Sequence, residues 1–216
     1  MKKHQHASDS TSPDLFASPW LNRLTRTHVA IPVTLFLAYA AGLLYYTHRA
    51  TTLPLPLVLG LFVGGMLLFT LVEYVIHRWV YHPHEGASAA FVKFTDTVHG
   101  VHHDHPKDKQ RLAMPPVLSV VVGTLLLGIF RLLLGQYAFA SLAGFMVGYA
   151  LYLLIHFSVH IFRKPHNVFG ALWTNHALHH YGDPNTMYGV SSPLWDHVFG
   201  TLYKKQAGDR PRHIAR

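Results

Sequence analysis

The stretch Pro54-Leu-Pro-Leu-Val-Leu-Gly-Leu-Phe-Val-Gly-Gly-Met-Leu-Leu-Phe-Thr-Leu-Val-Glu73-Tyr-Val-Ile76-His77-Arg-Trp-Val-Tyr-His82-Pro83 decides the fold. From residue 54 to residue 76 its only charged residue is Glu73, and its length matches the ~20 residues needed to cross a hydrocarbon core of about 30 Å. It ends by delivering two histidines to the membrane boundary. Three further stretches have the same character: residues 29–47, 115–134 and 137–156. Short links at 48–53 and 135–136 join the four into two pairs. The expected fold is therefore all-α and integral to the membrane: four transmembrane helices in two hairpins, with a helical cap on one face. The composition agrees, with 50% hydrophobic and only 13% charged residues in 216.

Charge places the cap. Of 18 Lys and Arg, four precede the first span, five lie between the second and third, and seven follow the fourth. Only Arg49 and Arg131 fall on the other side. This is the positive-inside pattern, and it predicts that the N-terminus, the middle segment 78–114 and the C-terminal segment 161–216 are cytoplasmic. A net charge of +8 so distributed argues for a membrane rather than nucleic acid. The polar first 28 residues lack the apolar run of a cleaved signal peptide. Residues 1–14 read as a disordered tail, and Ser18-Pro19-Trp20-Leu21 as an interfacial segment with its ring at headgroup depth. The domain reading is thus 1–28 for tail and interface, and 29–216 for one membrane domain.

Ten of the 19 histidines fall into four clusters. They are His77 with His82; His99, His102 and His103; His156 with His160; and His176, His179 and His180. The chain has no cysteine, so imidazole is the one strong nitrogen or sulfur ligand present, and ten are too many for a single ion. The count predicts two metals. Each HxxHH triplet places imidazoles at i, i+3 and i+4, one face of a helix, and His156 with His160 repeats the i, i+4 spacing. His77 and His82, five apart, lie roughly 140° around an ideal helical wheel; both reach one centre only if the helix unwinds between them. Spans two and four both run inward, so all ten histidines arrive at one face.

The remaining histidines have plainer roles. His4, His6, His28, His48, His166 and His213 are isolated and stay outside the site, and His84, His105 and His197 are candidates only for orienting a ligand. The aromatics read as lipid-facing packing, with a few lining an acyl tunnel, and Gly64-Gly65 and Gly144 to Gly148 as close helix-packing positions. Glu73, one turn before His77, has two open readings: acceptor for a ligand imidazole, or salt-bridge partner of Arg78.

The string His99-Gly-Val-His102-His103-Asp-His-Pro-Lys-Asp-Lys-Gln-Arg111-Leu-Ala-Met-Pro-Pro116 resembles the fatty acid 2-hydroxylases of sphingolipid metabolism, within the fatty acid hydroxylase and sterol desaturase superfamily. His176-Ala-Leu-His179-His180-Tyr, followed by Tyr188-Gly-Val-Ser-Ser-Pro-Leu-Trp-Asp-His-Val-Phe-Gly-Thr201, is similar to that family's closing motif. The resemblance covers roughly residues 55–203. The histidine boxes alone specify the superfamily, and the Arg-Leu-x-Met-Pro-Pro and Ser-Pro-Leu-Trp-Asp blocks narrow it.

The resemblance implies that all ten clustered histidines, His77, His82, His99, His102, His103, His156, His160, His176, His179 and His180, hold a dinuclear centre. It implies O₂-dependent 2-hydroxylation of a fatty acyl chain, carried as free acid or ceramide. Two iron ions are the expected cofactor, with zinc able to replace them, because nitrogen ligands suit both and the affinity order favours zinc. Asp96, Asp104 and Asp183 are candidates to offset the metals' charge. Many eukaryotic members carry a fused cytochrome b5 domain, for which the 28 residues before the first span are too short; a separate donor such as cytochrome b5, or ferredoxin with its reductase, is expected. The membrane is the endoplasmic reticulum in a eukaryote and the inner membrane in a bacterium. A related desaturase, or a hydroxylase of sterols or carotenoids, uses the same boxes. A metal transporter is the alternative from another class, but it needs ligands near the bilayer midplane.

Overall fold

The computed structural model describes residues 12–204, and all regular structure among them is helical. Four long helices form the body: α2 (Ala30–Ala50), α3 (Leu55–Val75), α6 (Pro116–Leu134) and α7 (Ala138–Ile161). Shorter ones make up the ends: α1 (Pro19–Leu24), α4 (Ala89–Thr95), α5 (Val101–Asp104), α8 (Gly170–Tyr181) and α9 (Leu194–Phe199).

Three stretches are long and apolar enough to cross a membrane: Ala30–Ala50, Leu55–Tyr81 and Pro116–Ile161. The third, of 46 residues, holds both α6 and α7, because no polar gap separates them; a single 3₁₀ turn, Gly135–Tyr137, does. Gly135 takes φ +54, a left-handed conformation open to glycine. The chain doubles back there: the Phe130 and Phe145 rings lie 5.7 Å apart, and Gly123 faces Met146. An unbroken helix would separate residues 123 and 146 by about 34 Å. Apolar side chains stand out from α2, α3 and α6, with Leu132 86% exposed. A surface so continuously apolar suits lipid, not water.

Helix α7 is the axis of the bundle. Ala138, Ala140, Leu142, Ala143, Met146, Ala150 and Leu153 on it are all buried. It meets α3 at backbone distance. A Cβ added at Gly144 would run into the Phe62 carbonyl, and one at Gly65 into the Ser141 carbonyl. Small residues allow such approach where lipid supplies no hydrophobic drive. Gly64 is different: nothing lies within 4 Å of its Cβ position.

Residues 1–11 of the expected tail lie outside the described residues, as do residues 205–216 of the expected domain. Residues 12–14, expected to be disordered, are instead docked. Ser12 is buried, and its amide and hydroxyl both donate to Asp108, at 2.9 and 2.6 Å. Arg26 donates to the Ser12 carbonyl, Arg111 to that of Pro13, and the Thr27 amide to that of Gln110. Polarity alone hid this strap, because its partners lie some 96 residues away in sequence.

Candidate metal centre

Helix α3 does not unwind before His82, as the five-residue spacing suggested. It widens into a π turn over Ile76–Tyr81. Bonding i to i+5 lets residues five apart share a side, and the His77 and His82 rings stand 5.2 Å apart. A second π turn, Asp96–Gly100, carries His99 into α5 with His102 and His103. His156 and His160 end α7, and α8 carries the second triplet.

These elements gather nine of the ten histidines into two groups whose nitrogens have the spacing to hold metal ions. One is His77, His82, His99, His103 and His179; the other is His102, His160, His176 and His180. Each triplet is divided between them. Its i and i+4 members go to one group and its i+3 member to the other, because i+4 lies about 40° from i on the wheel and i+3 about 60° the other way. His156 falls outside both sets but borders the second, with Nε2 3.0 Å from His102 Nε2. The groups abut, with the His103 and His180 rings stacked at 4.2 Å.

Nitrogen faces nitrogen in both groups. Nε2 of His99 and His103 are 3.0 Å apart, those of His102 and His180 3.2 Å, and those of His160 and His176 2.7 Å. Two imidazoles on one ion at about 2.1 Å, at right angles, stand about 3.0 Å apart, so the geometry fits shared ions. Protonation fits too. Burial, reinforced by the neighbouring imidazoles, holds His99, His102, His176 and His180 well below the ordinary histidine range. Burial lowers His179 to about 4, against the Thr186 carbonyl and Asp183, which favour its charge. Neutral imidazoles are what metal ligation requires.

The first group is also oriented. His77 Nδ1 donates to the Tyr188 carbonyl at 2.6 Å and His179 Nδ1 to the Thr186 carbonyl at 2.8 Å. Each leaves a buried Nε2 without a hydrogen bond. A proton fixed on Nδ1 directs the Nε2 lone pair outward. In the second group the buried Nδ1 atoms of His102, His176 and His180 have no hydrogen-bond partner. Aromatic rings close the sides: Tyr81 stacks on His99 at 4.6 Å and Tyr152 on His156 at 5.4 Å.

The carboxylates differ from expectation. Glu73 meets neither an imidazole nor Arg78; it accepts from the amides of Val190 and Ser191, at 2.7 and 2.9 Å, and from the Ser191 hydroxyl. Arg78 donates to the Tyr74 hydroxyl instead. Asp96 and Asp104 are exposed, and Asp183 caps a turn through the Asn185 amide, so none joins either group. His84 and His197 are exposed, and neither they nor His105 joins a group. Sequence reasoning missed Asp196, which is fully buried and accepts from the amides of Tyr188 and Gly189 and from Thr201 Oγ1. Its one signal was its place in the Ser-Pro-Leu-Trp-Asp block.

Imidazoles gathered in two adjoining groups, at one end of helices apolar enough for a membrane, fit a histidine-ligated metal site in a protein of the membrane type. The chain belongs to the fatty acid hydroxylase family, whose model matches residues 62–201. It is 35% identical over 201 residues to the ceramide very long chain fatty acid hydroxylase scs7 of Schizosaccharomyces pombe, covering 91% of this chain and 57% of that protein. To the fatty acid 2-hydroxylase of Rattus norvegicus it is 37% identical over 153 residues, 69% of this chain and 41% of the relative. A dihydroceramide fatty acyl 2-hydroxylase of Arabidopsis thaliana is 33% identical over 202 residues, 92% of this chain and 84% of the plant protein. Among solved structures it is similar to full-length scs7p, of which only the hydroxylase domain is visible, with a TM-score of 0.81 and 30% identity over 90% of this chain and 74% of that one. The chain spans about half the length of its fungal and rat relatives.

Proposed function

We propose that this chain hydroxylates C2 of a fatty acyl chain, free or carried on a ceramide, in an O₂-dependent reaction at a two-metal centre held by the ten histidines. The two imidazole groups carry the reading, within a family whose similar members are named 2-hydroxylases and ceramide hydroxylases. A redox-active metal pair bound there supplies the reductive activation of O₂ that a C–H bond of this kind demands and no side chain provides. Iron is the working metal; zinc, favoured by the affinity order, occupies the same ligands without turnover.

The chain's own residues supply the rest. Burial keeps the imidazoles neutral, the carbonyls of Thr186 and Tyr188 aim two of them, and Tyr81 and Tyr152 exclude water beside His99 and His156. Helices α2, α3, α6 and α7 cross the membrane as four spans in two hairpins, residues 29–216 forming one hydroxylase domain with termini and metals cytoplasmic. Helices α3 and α7 both deliver their histidines from C-terminal ends, so an acyl chain lies along the apolar helices with its polar head toward the interface, which presents C2 to the metals. Metal transport requires ligands at the midplane, and this arrangement does not supply them. Electrons come from a donor protein, cytochrome b5 or a ferredoxin, attracted by the basic cytoplasmic face; reconstituted turnover indifferent to ionic strength would refute that docking.

The deciding experiment is a lipid profile by mass spectrometry of cells with and without the protein. Acyl chains gaining one oxygen at C2 support the proposal; a new double bond, or oxygen on a sterol or carotenoid, transfers the chain to a desaturase or a hydroxylase of other substrates.

A further inference from the structure

Four consecutive backbone amides, those of residues 188 to 191, are taken up by two buried carboxylates. Asp196 accepts from Tyr188 and Gly189, both at 2.9 Å, and Glu73 from Val190 at 2.7 Å and Ser191 at 2.9 Å. Thr201 pins the segment from the other side: its carbonyl accepts from the Met187 amide at 2.9 Å and its hydroxyl donates to Asp196 at 2.7 Å. Tyr74, itself fully buried, meets that hydroxyl at 3.0 Å. Between these holds Met187 has φ 57, a left-handed conformation uncommon outside glycine. Such a residue persists where its surroundings over-determine it.

The same segment presents two carbonyls, of Thr186 and Tyr188, and both receive an Nδ1 proton from the first histidine group, His179 and His77. In the second group, His102, His176 and His180 have no such acceptor at Nδ1. The two metal positions are therefore built differently. One is aimed by a backbone segment that two carboxyl groups hold, while three ligands of the other have no such anchor at Nδ1.

We infer that Glu73 and Asp196 are positioning residues for the first metal position alone, acting through the 186–191 segment on His77 and His179 without touching the metal. The inference rests on the two-metal reading above. Carboxyl groups suit the task, since each offers two acceptor oxygens and each here takes up two adjacent amides. Neither residue lies within a histidine cluster, so nothing in the spacing of ligands points to them.

The test is metal binding by the full chain in detergent, with Zn(II) as the probe. Zinc content by plasma mass spectrometry and zinc release to excess chelator are measured for the wild type, Glu73→Gln and Asp196→Asn. The wild type holds two equivalents. Each variant keeps one equivalent unchanged, which also shows that it has folded, and binds the other about 10–100-fold more weakly, the usual effect of losing a group that orients a ligand. Adding His176→Ala to Asp196→Asn removes the retained equivalent, whereas adding His77→Ala does not. Variants that keep both equivalents at wild-type affinity, or that lose both together, overturn the inference. A wild type holding fewer than two equivalents instead overturns the two-metal reading, a separate and distinguishable failure.

Discussion

Adjacent glycines on α3 offer a paired test of how closely α3 and α7 pack. A Cβ at Gly65 would lie 2.9 Å from the Ser141 carbonyl carbon and 3.0 Å from the Phe145 amide nitrogen, with the Ser141 oxygen nearer still. Carbon atoms rest about 3.5 Å apart or more, so α3 and α7 must separate by at least about 0.6 Å. Backbone atoms on a packed helix cannot rotate aside as a side chain does. Overpacking of this kind costs about 1–3 kcal/mol, and this obstruction belongs at the upper end. At Gly64 the same methyl group meets nothing within 4 Å. Both substitutions gain the same helix propensity, up to about 1 kcal/mol, so their difference isolates the packing term. At about 2–4 °C per kcal/mol for a chain of this size, Gly65→Ala unfolds roughly 6–12 °C below Gly64→Ala. Thermal unfolding in one detergent at one scan rate measures this. Because His77 continues the same helix about three turns on, Gly65→Ala also loosens metal. Equal unfolding temperatures for the two variants would refute the close-packing argument.

Asp108→Asn removes the charged acceptor for both Ser12 donors, at about 1.5–3 kcal/mol for bonds of this type; limited proteolysis is expected to cut residues 12–18 faster, and an unchanged cleavage rate would count against the strap. Burial alone raises the Asp108 carboxyl, but hydrogen bonds from Ser12 and Gln110 outweigh it and hold the group below the ordinary range. The strap's contribution is thus complete above pH ~4 and fades as pH falls through that depressed value. The apo protein has a second acid sensitivity. His179, lowered to about 4, is uncharged when folded but takes up a proton near 6.5 when unfolded. The unfolded chain then binds more protons between those values, so stability declines as pH falls from about 6.5 to about 4, by up to about 1.4 kcal/mol per pH unit per histidine. Denaturant midpoints of the metal-free protein that stay flat from pH 7 to pH 5 would contradict buried, neutral imidazoles.

How much of this was legible in the sequence depends on whether a feature has a period. The apolar stretches and the i, i+3, i+4 histidines have one, so the long helices and the nine histidines that the fold gathers into two groups could be read. The π turns could not, because Ile76–Tyr81 differs from an α-helix only in which carbonyl each amide meets. The five-residue gap from His77 to His82 pointed to unwinding, and the helix widens instead. Glu73 was singled out, but with an imidazole or Arg78 as its partner, and its partners are amides 117 and 118 residues away. Backbone amides carry no sequence signature. Asp196 and Ser12 were missed for the same reason, their bonds being invisible until the chain is folded.

The division of each triplet explains why the spacing is HxxHH. Had a triplet served one metal, the distance between two bound ions would depend on how α5 and α8 sit relative to each other. Instead His102 and His103 are neighbours on one turn and enter different groups, as do His179 and His180. Each short helix therefore grips both groups at once, and a single turn of backbone, among the stiffest rulers in a protein, sets their separation. Helices α3 and α7 then act as rails, bringing His77 and His82 to one group and His160 to the other. A reaction in which two ions must act on the same small molecule needs that separation held constant, and the adjacent pair of histidines in each triplet is the cheapest way for a helix to hold it.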